Sequence, residues 1–257
     1  NEFYRTIESD TDYKGTTSIN ILNSKFKINY KYKNDLIYFS SEKPEVNKDK
    51  FRFEGSANLN PFYFDININL NSADAKDLFD IYLLTKNLFN KNILLHDSFN
   101  GELTININSL KKFKFFDKAE IHLNFINGKL VLDNSFLISD KIGKITFIQG
   151  VLNQENNEEI FKSKILFEIN NQKKFYQTFQ ILKKHRLKLE DIYIEIEKEL
   201  GETYFRVQRL EINSNRKDIL PKNYFDLTEE YNYYELKELN SWFAVKKLVN
   251  QVFSKIN

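Results

Sequence analysis

Between Phe62 and Leu70 every second residue is apolar: Phe62, Phe64, Ile66, Ile68 and Leu70 alternate with Tyr63, Asp65, Asn67 and Asn69. Strict period-two alternation predicts a strand with one apolar and one polar face. The same device recurs along most of the chain. It predicts strands at 15–22, 25–33, 35–40, 50–59, 61–71, 101–108, 115–126, 129–138, 143–152, 160–169, 187–197 and 204–213. Asn34-Asp35 and Asn127-Gly128 separate adjacent runs, and Asn-Gly between alternating segments is a strong hairpin signal. The expected connectivity is therefore mainly an antiparallel meander, giving one long sheet that restarts after each turn.

Glycine supports this reading, because five of the seven glycines open a strand-like run: Gly15, Gly55, Gly101, Gly128 and Gly143. Their uneven spacing excludes a solenoid of identical units. Near Asp191 the apolar set changes from odd positions (Leu187, Leu189) to even ones (Ile192, Ile194, Ile196), which predicts a bulge at Glu190–Asp191.

Three segments change period. Leu78, Ile81, Tyr82, Leu84, Leu88 and Phe89 predict an amphipathic helix over 73–90. A shorter helix is expected at Gln172–Phe179 and a C-terminal one over 234–256. The last carries Trp242, Val245, Val249, Val252, Phe253 and Ile256 near one face, which suits a capping or partner-binding helix, or one lying on a membrane surface. No linker divides the strands, so the expected organisation is one β domain over 1–214 and a tail over 215–257.

Composition removes several function classes. Lys+Arg 38 against Asp+Glu 36 gives a net charge of +2, which offers no electrostatic case for nucleic acid. With no cysteine, disulfides and thiolate metal sites are excluded, and an oxidising compartment is compatible. The chain starts at Asn1 and contains no methionine, so it is expected to be a fragment or trimmed at its N-terminus. The run "KKHRLK" at 183–188 reads as a solvated basic loop, with a ligand site as the alternative.

No catalytic motif emerges. His96, His122 and His185 lie outside any local metal-binding pattern, and His122 falls on the polar face of its strand. The serines lack a nucleophile elbow, and Asp74 with Asp77 suits a helix N-terminus. The chain is expected not to be an enzyme and to need no cofactor or metal. The candidate site is instead the apolar side of the sheet: Phe64, Ile66, Ile68, Leu70, Leu103, Ile105, Ile107, Ile121, Leu123, Phe125, Leu130 and Leu132. These residues form either the core of a closed sandwich or the lining of an open groove.

The run F-x-F-x-G-x-x-x-L-x-P-F-x-F-D-I at 51–66, with the apolar segment at 77–88, resembles the C-terminal region of AsmA-like proteins. "AEIHLNFINGKLVLDNSFL", "GKITF", "KSKILFEINNQKKFYQTFQI" and "RLKLEDIYIEIE" extend the resemblance to roughly 51–213. It implies a mainly β fold, with a long, twisted antiparallel sheet curved into an open U-shaped groove and a few helices. It also implies a periplasmic cell-envelope protein, related to TamB-like bridges, that carries phospholipid acyl chains between inner and outer membranes in outer-membrane biogenesis. Phospholipid and membrane proteins on either side are the implied partners. An inner-membrane anchor helix is expected upstream of Asn1. The remaining readings are a structural or adhesive β protein with a closed core, an outer-membrane barrel and an unrecognised hydrolase. The 73–90 helix and the frequent strand lysines speak against the barrel.

Overall fold

The computed structural model describes residues 6–9, 12–21, 24–41, 51–74, 94–111, 115–156, 158–200, 204–214, 233–235 and 242–255. The fold is mainly β, as the alternation requires. Residue contacts divide the chain into two compact units, Asn1–Val131 and Leu132–Asn257. The division falls inside the 1–214 stretch expected to form one domain, and the C-terminal helix belongs to the second unit.

The first unit contains β1 (Thr6–Ser9), β2 (Asp12–Ile21), β3 (Ser24–Lys33), β4 (Leu36–Ser41), β5 (Phe51–Leu59), β6 (Phe62–Leu70), β7 (Gly101–Ile107), β8 (Lys118–Ile126) and β9 (Lys129–Val131). They pair in chain order. Asn34 and Asp35 both have positive φ in the β3–β4 turn, as do Asn127 and Gly128 between β8 and β9. These are the primed turns whose twist matches that of the flanking strands.

One pairing departs from the expected antiparallel meander. β6 and β7 run parallel, with Phe64 opposite Gly101 and Leu70 opposite Ile107. A parallel pair needs a crossover that returns the chain to the starting end of the sheet. The return here runs from Asn71 to Asn100, and most of the expected 73–90 helix lies outside the described residues. That helix does not begin at Ala73, which forms an isolated parallel bridge with Leu110.

The parallel pair also explains Gly101. A Cβ there would stand 2.5 Å from two carbons of the Phe64 ring, which lies across the glycine. Gly101→Ala is therefore expected to destabilise the protein by about 1–3 kcal/mol, as overpacking does. A lowered urea midpoint at unchanged slope is the expected readout, and an unchanged midpoint would refute it.

The second unit contains β10 (Phe136–Ser139), β11 (Gly143–Glu155), β12 (Glu158–Ile169), α1 (Gln172–Phe179), a 3-10 turn (Lys183–His185), β13 (Leu189–Glu199), β14 (Tyr204–Ser214), β15 (Tyr233–Glu235) and α2 (Trp242–Lys255). β10 to β15 pair antiparallel in that order. The strand expected over 129–138 is interrupted at Asp133–Asn134. There Asn134 has φ 62°, and the Asp133 carboxylate accepts a 2.9 Å bond from the Gly150 amide. The helix expected to begin at Tyr234 starts at Trp242, because Tyr233–Glu235 pairs with β14 instead.

The register of β13 against β14 shifts between Leu189 and Asp191, where the change of apolar parity predicts a bulge. A second shift, between Phe147 and Gln149, leaves Ile148 44% exposed on β11. The core of this unit joins its sheet to α1. Asn171 caps the helix by accepting from the Lys174 amide at 3.0 Å, and Gln180 ends it in the left-handed conformation. The buried face carries Phe175, Tyr176 and Phe179. Phe175 lies 5.8 Å from the Phe167 ring on β12 and 5.7 Å from Phe253 on α2. Asn250 of α2 donates to the Phe179 carbonyl at 2.5 Å. The C-terminal helix is thus a cap on α1 at its Phe253 end.

Candidate functional site

Strand pairing turns the alternation of the first unit into continuous transverse rows. One row runs Tyr13, Tyr32, Ile37, Ala57, Phe64, Gly101, Phe125 and Leu130 from β2 to β9. The next runs Gly15, Tyr30, Phe39, Gly55, Ile66, Leu103 and Leu123. Phe53, Ile68, Ile105 and Ile121 align in a third, and Leu70, Ile107 and Ala119 in a fourth. Register therefore brings eleven of the twelve expected lining residues onto one face of one sheet, from Phe64 through Leu130. Leu132 does not join them: it belongs to the second unit, where its amide bonds the Gly150 carbonyl at 2.7 Å.

Burial is uneven across this face. Phe64, Leu70, Ile105, Ile107, Ala119, Phe125 and Leu130 are buried, whereas Ile66, Ile68, Leu103, Ile121 and Leu123 are half-buried. Phe99 closes one end, with ring centroids 5.0 Å from Phe64 and 5.3 Å from Phe125. Its loop is pinned by the Phe64 amide on the Asn100 carbonyl (3.2 Å) and the Asn127 amide on the Asn100 side chain (2.9 Å). Period-two reasoning missed Phe99 because it lies in a loop. It also missed Gly55, Ala57, Gly101 and Ala119, small residues that break an apolar pattern while occupying its face. At Gly55 the space above the backbone is taken by the Phe39 ring, 3.1 Å from where a Cβ would stand.

The opposite face is a hydrogen-bonded polar ladder. Asn106 donates to both Asn67 and Asn69 at 3.2 Å, and Asn69 donates to Asn67 at 3.1 Å. Tyr63 donates to Glu102 at 3.0 Å, and partial burial together with that bond raises its phenol pKa. His122 lies 2.8 Å from Glu120 and 3.4 Å from the Thr104 hydroxyl. Hydroxyl, imidazole and carboxylate in sequence is the order of a nucleophile, base and orienting group. Thr104 lies on β7, which is paired with both β6 and β8, so the backbone beside that hydroxyl is engaged in the sheet and is not free to donate to an oxyanion.

A cavity of about 870 Å³ opens on this polar face, between the row containing Lys14, Lys31, Tyr38, Ser56 and Asp65 and the row containing Thr16, Asn29, Ser40, Glu54 and Asn67. The concavity therefore lies opposite the face expected to line a groove. Short side chains such as Ser40 and Ser56 leave room there, while the rings of Phe39, Phe53 and Phe64 fill the apolar side. The second unit repeats the arrangement with a cavity of about 300 Å³ lined by Gln149, Asn153, Glu155, Lys162, Glu195 and Glu197. Lys162 pairs with Glu155 at 2.8 Å there. Beside it, burial and the bond to Glu195 push the Tyr193 phenol up to about 12.

Comparison of the chain with protein-family models, curated proteins and solved structures finds no match. Among the described residues no helix is long and apolar enough to cross a membrane.

Proposed function

We propose that the apolar face of the first unit carries or shields phospholipid acyl chains, in a cell-envelope protein acting between inner and outer membranes. The observation that supports this reading is the strip Ile66–Leu103–Leu123 with Ile68–Ile105–Ile121 beside it. It is continuous across three strands, purely aliphatic, and half-buried at five of its six positions. Each methylene removed from water contributes roughly 0.8 kcal/mol. An aliphatic strip without polar interruption offers a sliding chain near-equivalent positions. The resemblance of 51–213 to AsmA-like proteins supplies the periplasmic setting, the upstream anchor, the phospholipid cargo and the role in outer-membrane biogenesis.

The test is phospholipid co-purification, quantified by mass spectrometry for wild type and Ile68→Asp. Ile68 is half-buried, so the substitution is expected to leave the circular dichroism unchanged while lowering bound lipid several-fold. Equal loading of the two proteins would overturn the reading. A second reading, a structural or adhesive β protein with a closed core, is favoured by the buried ends of the rows at Phe64, Phe125, Leu70 and Ile107. It requires wild-type protein free of lipid and a variant that loses stability.

A further inference from the structure

The basic run at 183–188 has a structural context that its sequence alone does not show. Between Ile169 and Leu189 the chain carries Lys173, Lys174, Lys183, Lys184, Arg186 and Lys188, and no Asp or Glu. In a protein with nearly balanced charge this is a local concentration of one sign. Tyr176 folds the two lysine groups together: its hydroxyl donates to the Leu187 carbonyl at 2.5 Å and accepts from the Leu187 amide at 3.1 Å. Arg186 is held at the centre, donating to the Ile181 carbonyl at 2.9 Å and facing the Tyr176 ring. The five lysines point outward and are exposed. α2, which packs on α1, also has no acidic residue and adds an exposed Lys247.

Within this cationic segment, next to Lys183 and Lys184, Leu182 is 60% exposed, the most exposed large apolar side chain among the described residues. The neighbouring Ile181, Leu187 and Leu189 are buried. Its exposure is set by the extended backbone that precedes the 3-10 turn.

We propose that this face of the second unit, from α1 to Lys188, docks on an anionic lipid bilayer. The lysines contact lipid phosphates and Leu182 enters the acyl region beneath them. The chemistry favours a bilayer over other polyanions. The aromatic rings of the segment, Phe175, Tyr176 and Phe179, are buried and give no stacking platform for nucleic-acid bases. An exposed aliphatic residue followed directly by two exposed lysines, in a segment whose other charges are all cationic, matches the layered polarity of a membrane interface. This docking does not depend on acyl-chain binding by the first unit.

Flotation with phosphatidylcholine vesicles, with and without phosphatidylglycerol, tests the proposal. Binding is expected only with phosphatidylglycerol and is expected to weaken steeply at high salt. Lys183→Gln with Lys184→Gln is expected to lower the partition coefficient about 25-fold, since each lysine near an anionic surface contributes ~5-fold. Leu182→Ser is expected to lower it several-fold while leaving the salt dependence intact. All three positions are exposed, so an unchanged thermal melt accompanies these effects. Equal binding to both vesicle types, no binding to either, or unchanged binding of the lysine variant would overturn the proposal. Retention of polyglutamate or RNA in place of vesicles would do the same and assign the face to an acidic macromolecule. Lipid loading of the purified protein is a separate readout, so failure here and failure of the acyl-chain reading are distinguishable.

Discussion

Ile105→Asp is expected to unfold the sheet of the first unit, not to leave a folded sheet with an altered surface. Ile105 is 7% exposed on β7, between Ile68 on β6 and Ile121 on β8. Truncating a buried isoleucine costs about 2–5 kcal/mol. Placing a carboxyl group there without a partner costs roughly 2–7 kcal/mol more even when it takes up a proton. The sum is comparable with the whole stability of an ordinary domain, about 5–15 kcal/mol. Amide hydrogen exchange over β6, β7 and β8 is the direct measurement, with protection expected to collapse. Wild-type protection in the variant would show that the position is not packed as described. Ile68, its half-buried neighbour in the same row, is therefore the position at which surface chemistry is separable from folding.

The largest effect in the second unit is expected from Phe175→Ala. The ring is 1% exposed and meets Phe167, Tyr176, Phe179 and Phe253, with centroids 4.7 to 5.8 Å away. It joins three layers at one point: the sheet through Phe167, its own helix through Tyr176 and Phe179, and the C-terminal helix through Phe253. Removing an aromatic side chain from such a site costs about 3–5 kcal/mol. The urea midpoint should fall accordingly, and limited proteolysis should cut near α2 earlier than in wild type. A double-mutant cycle with Phe253→Ala should show coupling, because the two rings share one contact. Additive effects would mean that α2 is held by something other than this contact.

The two positions illustrate how much was legible in the chain. Ile105 belongs to an alternating run, and alternation places it on the apolar face without any knowledge of its neighbours. Whether it is buried or half-buried depends on what the other strands bring beside it, and alternation does not carry that. Phe175 was recognisable as part of a short helix, whose observed limits Gln172–Phe179 coincide with those expected. Its contact with Phe253, far along the chain, was not. The candidate lining was largely legible because register preserves alternation: once one residue of a strand faces a residue of its neighbour, every second residue on either side does the same. Leu132 fell away because the chain turns at Asp133–Asn134, where a polar pair inside an apolar run left no periodic signal.

What the chain determined alone is therefore local. Period-two alternation set the strands and the sharing of faces. Asn34-Asp35 and Asn127-Gly128 set their turns through positive φ, and the change of apolar parity near Asp191 set a bulge. The tertiary structure decided what depends on distant partners: the parallel pairing of β6 with β7, the division after Val131, and the opening of the larger cavity on the polar face. The physical reason is that alternation constrains which way a side chain points but not which strand it meets. Partner choice depends on how rings such as Phe39, Phe53 and Phe64 fill one side of the sheet while serines and asparagines leave the other open.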